Sequence, residues 1–168
     1  LTLLALMNAG LYDEALAWRD WLQRAVAGSP TDMQIMYDIL GERRLTEWQV
    51  DWLSGYEGSK PVRVGNAAYQ QFQLDVYGEL MDALHQARRA GLAPDDAGWA
   101  LQCALLEHLA VVWCQPDHGL WEVRGPPQHF TYSKVMAWVA FDRAVRDAEE
   151  LGLNGPVERW RELRDVIH

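Results

Sequence analysis

One connecting segment carries residue types that could do acid–base chemistry. Residues 117–127 read Asp-His-Gly-Leu-Trp-Glu-Val-Arg-Gly-Pro-Pro and lie between two apolar stretches that are typical of helices. Within this segment, the carboxyl group of Glu122 directly follows the indole of Trp121. An apolar ring disfavours the charged form of a neighbouring carboxyl, so such an acid can keep a proton for donation. We hypothesise that Glu122 is a general acid and that Trp121 is part of a platform for a sugar.

A second interpretation of residues 117–127 is a plain connection between two helices with a solvated glutamate. Loops often carry function because a rigid scaffold positions them, but spacing alone does not separate the two interpretations. Arg124 either orients Glu122 or is a solvated loop residue. Glu57 and Asp117 are candidate catalytic bases by residue type alone, and a solvated loop carboxylate is the simpler role for each.

Composition excludes some classes of function. The 168 residues suffice for one domain with a buried core. Apolar residues make up 49% and charged residues 23%, as in an ordinary globular protein. The formal charge of -9 argues against a nucleic-acid partner, which needs a basic face, and against an anionic membrane. Nine tryptophans suit either a packed core or a cleft in which rings stack on sugars.

The cysteines and histidines predict neither a disulfide nor a metal site. Cys103 and Cys114 lie on one predicted helix, where a rise of about 1.5 Å per residue separates them by roughly 16 Å. That distance is too long for a disulfide. The histidines share no metal-ligand spacing with a cysteine or an acid pair. We therefore expect no cofactor and no metal, and we expect a reducing, cytoplasmic compartment.

Helical periodicity covers most of the chain. Helices are predicted over residues 1–9, 13–27, 67–90, about 95–113, 131–150 and about 156–167, with Thr131 and Asn154 as N-caps. Asp75 interrupts the apolar stripe of the third helix. Nearly wholly apolar helices alternate with one-sided ones, which is the pattern expected when inner and outer helix layers surround a centre.

The stretch from residue 33 to 53 departs from this helical pattern. Apolar Met33, Ile35, Tyr37 and Ile39 alternate along the chain, and a glycine follows at position 41. Alternation of this kind followed by a turn residue is typical of a strand–turn–strand unit. We therefore expect a short irregular or β-hairpin excursion near residues 33–53, within an otherwise all-α fold.

Four motifs resemble the family 15 glycoside hydrolases, which include glucoamylases, glucodextranases and bacterial trehalases. They are Leu-Trp-Glu at 120–122 after Pro-Asp-His-Gly at 116–119, His-Phe-Thr-Tyr-Ser-Lys at 129–134, Gly-Tyr-Glu-Gly-Ser-Lys-Pro-Val-Arg-Val-Gly-Asn at 55–66, and Gln-Leu-Asp-Val-Tyr-Gly-Glu at 73–79. The resemblance covers essentially the whole chain. It implies that residues 1–168 form a single region, part of an (α/α)6 toroid with the catalytic cleft at one mouth.

The resemblance also implies an activity, that of an inverting exo-α-glucosidase. In such an enzyme a carboxylic acid protonates the departing oxygen while a second carboxylate activates water on the opposite face of the sugar. The two carboxyl groups stand roughly 6.5–9.5 Å apart to leave room for that water. In this sequence the acid corresponds to Glu122. The residues that the resemblance places near the substrate are Leu120, Trp121, Tyr56, Lys60, Arg63 and Arg124.

Arg63 has an alternative role, because it could pair with Asp75 or Glu79 as part of the scaffold. The sequence also departs from the family pattern at Val123, where fungal members carry a second acidic residue. This difference argues against starch as the preferred substrate. A helical-hairpin scaffold that binds a partner protein through its aromatic surface is the competing class of function.

The family's catalytic base would lie beyond residue 168, and its substrate-gripping Arg-Asp pair would lie before Leu1. We therefore expect this chain to be a fragment of a catalytic domain. Its expected partners are an α-glucoside and the remainder of that domain, with self-association through the exposed edge of the toroid.

Because the partner carboxylate is missing, we predict that the 168-residue chain alone has no measurable glucosidase turnover. The measurement is release of glucose from α-glucosides by the purified chain. Glucose formation above that of a heat-inactivated sample would contradict the expectation that the second carboxylate lies outside this chain.

Overall fold

The structure is a computed structural model that describes residues 2–168. This part of the chain contains six α-helices, which are α1 (Thr2–Asn8), α2 (Tyr12–Val26), α3 (Asp75–Arg89), α4 (Asp96–Val112), α5 (Thr131–Leu151) and α6 (Val157–Ile167). Short 3-10 turns occur at Pro30–Asp32, Tyr56–Gly58 and Ala67–Gln70. The prediction of an all-α fold is confirmed.

The most extensive helix contacts are those of α5 with α3 and with α6. Helix α1 contacts α2, and it also contacts α3, which in turn packs along α5. Helix α6 lies against α5, and α4 contacts both α3 and α5. Helices α1, α3 and α5 therefore follow one another in one layer, and the even-numbered helices lie beside them.

Local signals at the helix ends explain where several helices begin and end. The carboxylate of Asp95 accepts a hydrogen bond from the backbone N–H of Gly98 at 2.6 Å, which caps the start of α4. Helix α3 has Asp75 in its first turn and Arg88 and Arg89 in its last, as the helix dipole favours. Helix α5 ends at Gly152, whose φ of 69° suits a residue without a side chain.

The main core lies between α3, α4, α5 and α6. Its fully buried side chains include Leu106, Leu109, Phe141 and Trp160. The rings of Trp99 and Trp160 meet edge to face, with centroids 6.0 Å apart, a favourable arrangement for two aromatic side chains. This packing ties the last helix to the body of the fold.

A buried polar network also holds α3 against α5. The carboxylate of Asp147 on α5 lies 2.6 Å from Nδ1 of His85 and pairs with the guanidinium of Arg88. Arg88 also donates to the side-chain oxygen of Gln102 on α4 at 2.9 Å. Since each of these buried side chains has at least one partner, the network stabilises the arrangement of three helices.

The excursion before α3 is largely irregular, as expected, but its strand pairing differs from the prediction. Strand β1 (Trp48–Gln49) pairs antiparallel with β2 (Arg63–Val64), which lies outside the predicted range of 33–53. Residues 33–47 form no strand. Met33 and Tyr37 pack instead against the helical core. Packing against helices therefore explains two of the four alternating apolar residues, whereas Ile39 is exposed.

The third helix starts later than predicted. Residues 67–70 form a separate 3-10 turn that is capped by the side chain of Asn66, and α3 begins only at Asp75. The backbone N–H of Leu74 donates to the carboxylate of Asp117, so a distant side chain takes the place of a helical hydrogen bond. The predicted N-caps Thr131 and Asn154 are also wrong, because Phe130 and Pro156 occupy those positions.

We predict that Gly78→Ala destabilises the protein although alanine favours helices by about 1 kcal/mol. A Cβ at Gly78 would lie 2.2 Å from the carbonyl oxygen of Met136 on α5, so the two helices would have to separate. We expect a net loss of about 1–3 kcal/mol in the free energy of unfolding, measured by urea denaturation.

Ala104→Gly on the exposed face of α4 is the control for helix propensity, and it should cost no more than about 1 kcal/mol. If Gly78→Ala were as stable as the wild type, the close approach of α3 and α5 would be contradicted.

Candidate functional site

Two long connections meet at one end of the helices. Residues 27–74 join α2 to α3, and residues 113–130 join α4 to α5. The side-chain amide of Gln71 in the first connection donates to the backbone oxygen of Val123 in the second at 3.1 Å. The two segments that the sequence motifs singled out are therefore in direct contact.

Asp117 fixes the base of the second connection. Its side chain is fully buried, and its Oδ2 accepts hydrogen bonds from the backbone N–H of Leu74 at 2.9 Å and from the hydroxyl of Ser133 at 2.8 Å. Its backbone also exchanges two hydrogen bonds with Gln128, at 2.9 and 2.8 Å. Asp117 is thus not a solvated loop acid, and its contacts position the loop between residues 117 and 128.

Glu122 lies on this loop in an uncommon backbone conformation. Its φ of 50° is in the left-handed region, which non-glycine residues rarely adopt and which is often found at functional sites. Its side chain is half-buried, and Oε2 accepts a hydrogen bond from Nδ2 of Asn66 at 3.2 Å. The oxygen of the same Asn66 side chain accepts from the backbone N–H of Ala68 at 2.9 Å. Because this second bond fixes the amide, the nitrogen is aimed at Glu122.

Glu122 borders a cavity of about 580 Å³. Ligand-binding clefts usually have volumes of this order and combine apolar walls with a few polar groups. The apolar wall includes Trp18, Trp21 and Leu22 of α2 and Val76 and Leu80 of α3. The polar groups include Gln73, Asp75, Glu79 and Glu122. A half-buried acid at the edge of such a cavity can donate a proton to a ligand inside it.

Asp75 is a second carboxyl group of this cavity, and sequence reasoning did not identify it as a site residue. Its side chain is 2% exposed, and its Oδ1 is buried without a hydrogen-bond partner. Burial raises the pKa of Asp75 to about 6, and the nearby charges of Asp117 and Glu79 add to the increase. The available sequence signal was an acidic residue that interrupts an apolar stripe.

Glu79, one turn further along α3, already has a partner. It accepts a hydrogen bond from the hydroxyl of Tyr132 on α5 at 2.7 Å. This bond is the main reason why the pKa of Tyr132 is raised to about 12. Glu79 therefore links two helices at the cavity and differs from Asp75, whose carboxyl group has no such contact.

The structure brings some of the predicted substrate-binding residues to the cavity and leaves others outside it. Leu120 lines the cavity together with Glu122. Trp121 is 85% exposed and Tyr56 is 83% exposed, and neither lines the cavity. Lys60, Arg63 and Arg124 are also exposed and lie outside its wall.

Arg63 and Arg124 share one partner, Glu47. The carboxylate of Glu47 accepts from Arg124 at 3.0 Å and from the backbone N–H of Ala67 at 3.2 Å, and it lies 3.6 Å from Arg63. The hydrogen bond from Arg124 is the largest influence that lowers the pKa of Glu47. The alternative role of Arg63, a pairing with Asp75 or Glu79, is therefore wrong, and Arg124 pairs with Glu47 instead of orienting Glu122. No spacing in the sequence pointed to Glu47.

Two further features concern the whole described region. Among residues 2–168, no group of three or more His, Cys, Asp and Glu side chains is placed to hold a metal ion. In the same residues, no helix combines the length and the apolar character that crossing a membrane requires. Cys103 is half-buried and Cys114 is exposed, and both are free thiols.

Comparison with known proteins relates the chain to carbohydrate-active enzymes. The family described as glycosyl hydrolases family 15 matches residues 1–168. A trehalase of Mycolicibacterium smegmatis is 41% identical over 140 residues, which cover 83% of this chain and 21% of that protein. A trehalase of Mycobacterium tuberculosis is 43% identical over 136 residues, which cover 80% of this chain and 20% of that protein. Trehalase 2 of Sulfolobus acidocaldarius is 37% identical over 167 residues, or 97% of this chain and 29% of that protein.

These relatives are much longer than the region they share with this chain. The chain spans between a fifth and a third of the length of the curated relatives quoted above. The comparison with solved structures found no significant match.

The buried carboxyl group of Asp75 predicts a pH-dependent stability. Its pKa of about 6 in the folded protein exceeds its usual value of 3.8, so the folded state binds more protons between these values. The free energy of unfolding therefore falls as pH rises from about 4 to 6. We expect Asp75→Asn to be about 1–3 kcal/mol more stable than the wild type at pH 8, with a difference that shrinks toward pH 4. Urea denaturation at both pH values measures this.

Asp96→Asn is the matched control, because Asp96 is the exposed first residue of α4 as Asp75 is the buried first residue of α3. It loses only the favourable interaction with the helix dipole and should be slightly less stable at pH 8. A loss of stability in Asp75→Asn that is equal at pH 4 and pH 8 would rule out an unfavourable buried charge.

Proposed function

Since the chain belongs to glycosyl hydrolases family 15, we propose that it supplies the general-acid half of the cleft of an inverting exo-α-glucosidase. The observation that carries this proposal is the position of Glu122. Its carboxyl group is held by the amide of Asn66 at the edge of a cavity that it shares with Leu120. A scaffold without catalysis would not need a half-buried acid on a strained loop beside a cavity.

The proposed step uses the free oxygen of Glu122. Oε2 accepts the hydrogen bond from Asn66, which leaves Oε1 to carry the proton. As the bond between the anomeric carbon and the glycosidic oxygen breaks, its electron pair stays on that oxygen, which takes the proton of Glu122. A water molecule adds to the anomeric carbon from the opposite face and loses a proton to a second carboxylate. We propose that this carboxylate comes from a segment beyond residue 168.

The proposed substrate class is an α-glucoside, and trehalose is the first compound to test. Three relatives with 37–43% identity are named trehalases, which supports this choice. A cavity of about 580 Å³ suits a small ligand, and the formal charge of -9 suits a neutral one. We propose that the sugar is also contacted by residues that do not line this cavity, which are Trp121, Tyr56, Lys60, Arg63 and Arg124.

We further propose that the remainder of a longer catalytic domain covers the open side of this site. The chain spans 20–29% of the length of the three relatives, so these include much sequence that it lacks. Several large apolar side chains are exposed and provide surfaces for further helices, among them Ile39, Leu40, Trp52, Val111 and Val166. The isolated chain would then associate with itself through the same surfaces.

The test is Glu122→Gln in the longer enzyme that contains this chain. Loss of the proton donor should lower kcat on trehalose by a factor of about 10² to 10⁴. The loss on α-glucosyl fluoride should be much smaller, because fluoride departs with little need for a proton. Release of glucose measures both reactions.

Glu150→Gln, at an exposed position near the end of α5, is the control and should leave both rates unchanged. Near-wild-type turnover of trehalose by Glu122→Gln would refute the assigned role. Equal losses on trehalose and α-glucosyl fluoride would refute proton donation to the leaving group.

A further inference from the structure

We infer that Asp75 is a further substrate-binding residue of this site, whose carboxylate accepts a hydrogen bond from a hydroxyl group of the sugar that occupies the cavity beside Glu122. This inference rests on the proposed function and adds a residue to it. It starts from the contrast between Asp75 and the other buried acids of the chain.

The other buried aspartates in residues 2–168 have partners for their charge. Asp117 accepts from Leu74 and Ser133 through Oδ2, and its unpaired Oδ1 belongs to a residue that does not line the cavity. Asp147 pairs with His85 and Arg88. Asp142 is surrounded by arginine side chains, which are Arg143, Arg146 and Arg164. No side chain of the described residues donates to Asp75, although it is 2% exposed. The carboxyl group of Asp75 has a hydrogen bond from its own backbone N–H, and its Oδ1 is left unpaired. Buried carboxylate oxygens are normally hydrogen-bonded, so an unpaired one on a residue that lines a cavity indicates a ligand that supplies the donor.

The position of Asp75 indicates which ligand that is. Asp75 is the first residue of α3 and lines the cavity that Glu122 also lines. The preceding residue, Leu74, is bonded to Asp117, so the start of the helix cannot move away from the cavity. A sugar whose glycosidic oxygen reaches Glu122 would therefore place its other hydroxyl groups within the same cavity as Asp75.

The neighbouring polar groups are already engaged. The amide nitrogen of Gln73 donates to the side-chain oxygen of Gln71 at 3.1 Å, and Glu79 accepts from the hydroxyl of Tyr132. Asp75 is the acidic group of the cavity that is left without a donor from another side chain. Hydroxyl groups are neutral donors, and the two oxygens of one carboxylate can accept from adjacent hydroxyls of a sugar ring. Such bonds to an ionised acceptor are stronger than bonds between neutral groups.

The ionisation of Asp75 supports this role. Burial raises its pKa to about 6, so the carboxylate form still predominates at neutral pH. A buried charge with no donor from another residue disfavours the empty site, and the hydroxyl donors of a bound sugar reduce this penalty. Residues that lower stability in the absence of ligand are typical of binding sites.

The experiment compares the wild type, Asp75→Asn and Asp96→Asn in the longer enzyme, with trehalose as the substrate and glucose as the ligand. Asp75→Asn should raise the KM for trehalose and the Kd for glucose by about 10- to 100-fold, because a charged hydrogen-bond acceptor is lost. Asp96→Asn, the same change at the start of α4, should alter neither value more than about twofold. Thermal unfolding at pH 7 should show no decrease in Tm for Asp75→Asn, which separates binding from a structural role.

Substrates that lack single hydroxyl groups test the contact directly. For one monodeoxy-trehalose, the wild type should lose affinity relative to trehalose, whereas Asp75→Asn should show no further loss, because the interacting pair is already broken. Asp75→Ser provides a second neutral variant if Asp75→Asn does not fold. A KM and a Kd within about twofold of the wild type in a folded neutral variant would overturn the inference. It would also be overturned if every monodeoxy-trehalose lost as much affinity for Asp75→Asn as for the wild type.

The two proposals can fail separately. If Glu122→Gln abolishes turnover of trehalose and Asp75→Asn binds like the wild type, only the role of Asp75 is overturned. If the wild-type enzyme neither hydrolyses trehalose nor binds glucose, both proposals are overturned.

Discussion

The hydrogen bonds of the buried Asp117 carboxylate are the interaction on which the site depends. They join the start of α3, at the N–H of Leu74, to the start of α5, at the hydroxyl of Ser133. Asp117 is itself the first residue of the loop that carries Glu122. One side chain therefore determines the relative position of two helices and of the proposed proton donor. Loss of this carboxylate would leave buried donors without partners, which costs more than an ordinary exposed hydrogen bond.

The buried acids of the fold differ in whether a charged side chain pairs with them. Between the helices, the buried charges are paired, as in the contacts of Asp147 with His85 and Arg88. At the cavity, Asp75 is buried without a side-chain partner and Glu122 has a left-handed backbone. Local rules of stability are commonly broken where a protein binds or reacts, and the surrounding structure compensates for the cost. The rigid packing of α3 on α5, close enough to require Gly78, provides that compensation here.

The site is open on one side. Trp121 and Tyr56 are largely exposed, and the pairing of Arg63 and Arg124 with Glu47 lies at the surface. Exposed ion pairs contribute little to stability, so these arginines can exchange Glu47 for a ligand at small cost. We propose above that this surface contacts the sugar, and the longer relatives have further sequence that this chain lacks.

The sequence by itself determined the helical class, because apolar periodicity depends only on neighbouring residues along a helix. Together with the family resemblance, it also identified Glu122 and Leu120, which the structure places at one cavity. Contacts between distant residues were decided only by the tertiary structure. Helix α3 starts at Asp75 instead of residue 67 because the N–H of Leu74 donates its hydrogen bond to Asp117, which lies 43 positions away along the chain. Likewise, Asn66 reaches Glu122 across 56 positions, and only folding leaves Asp75 unpaired beside it.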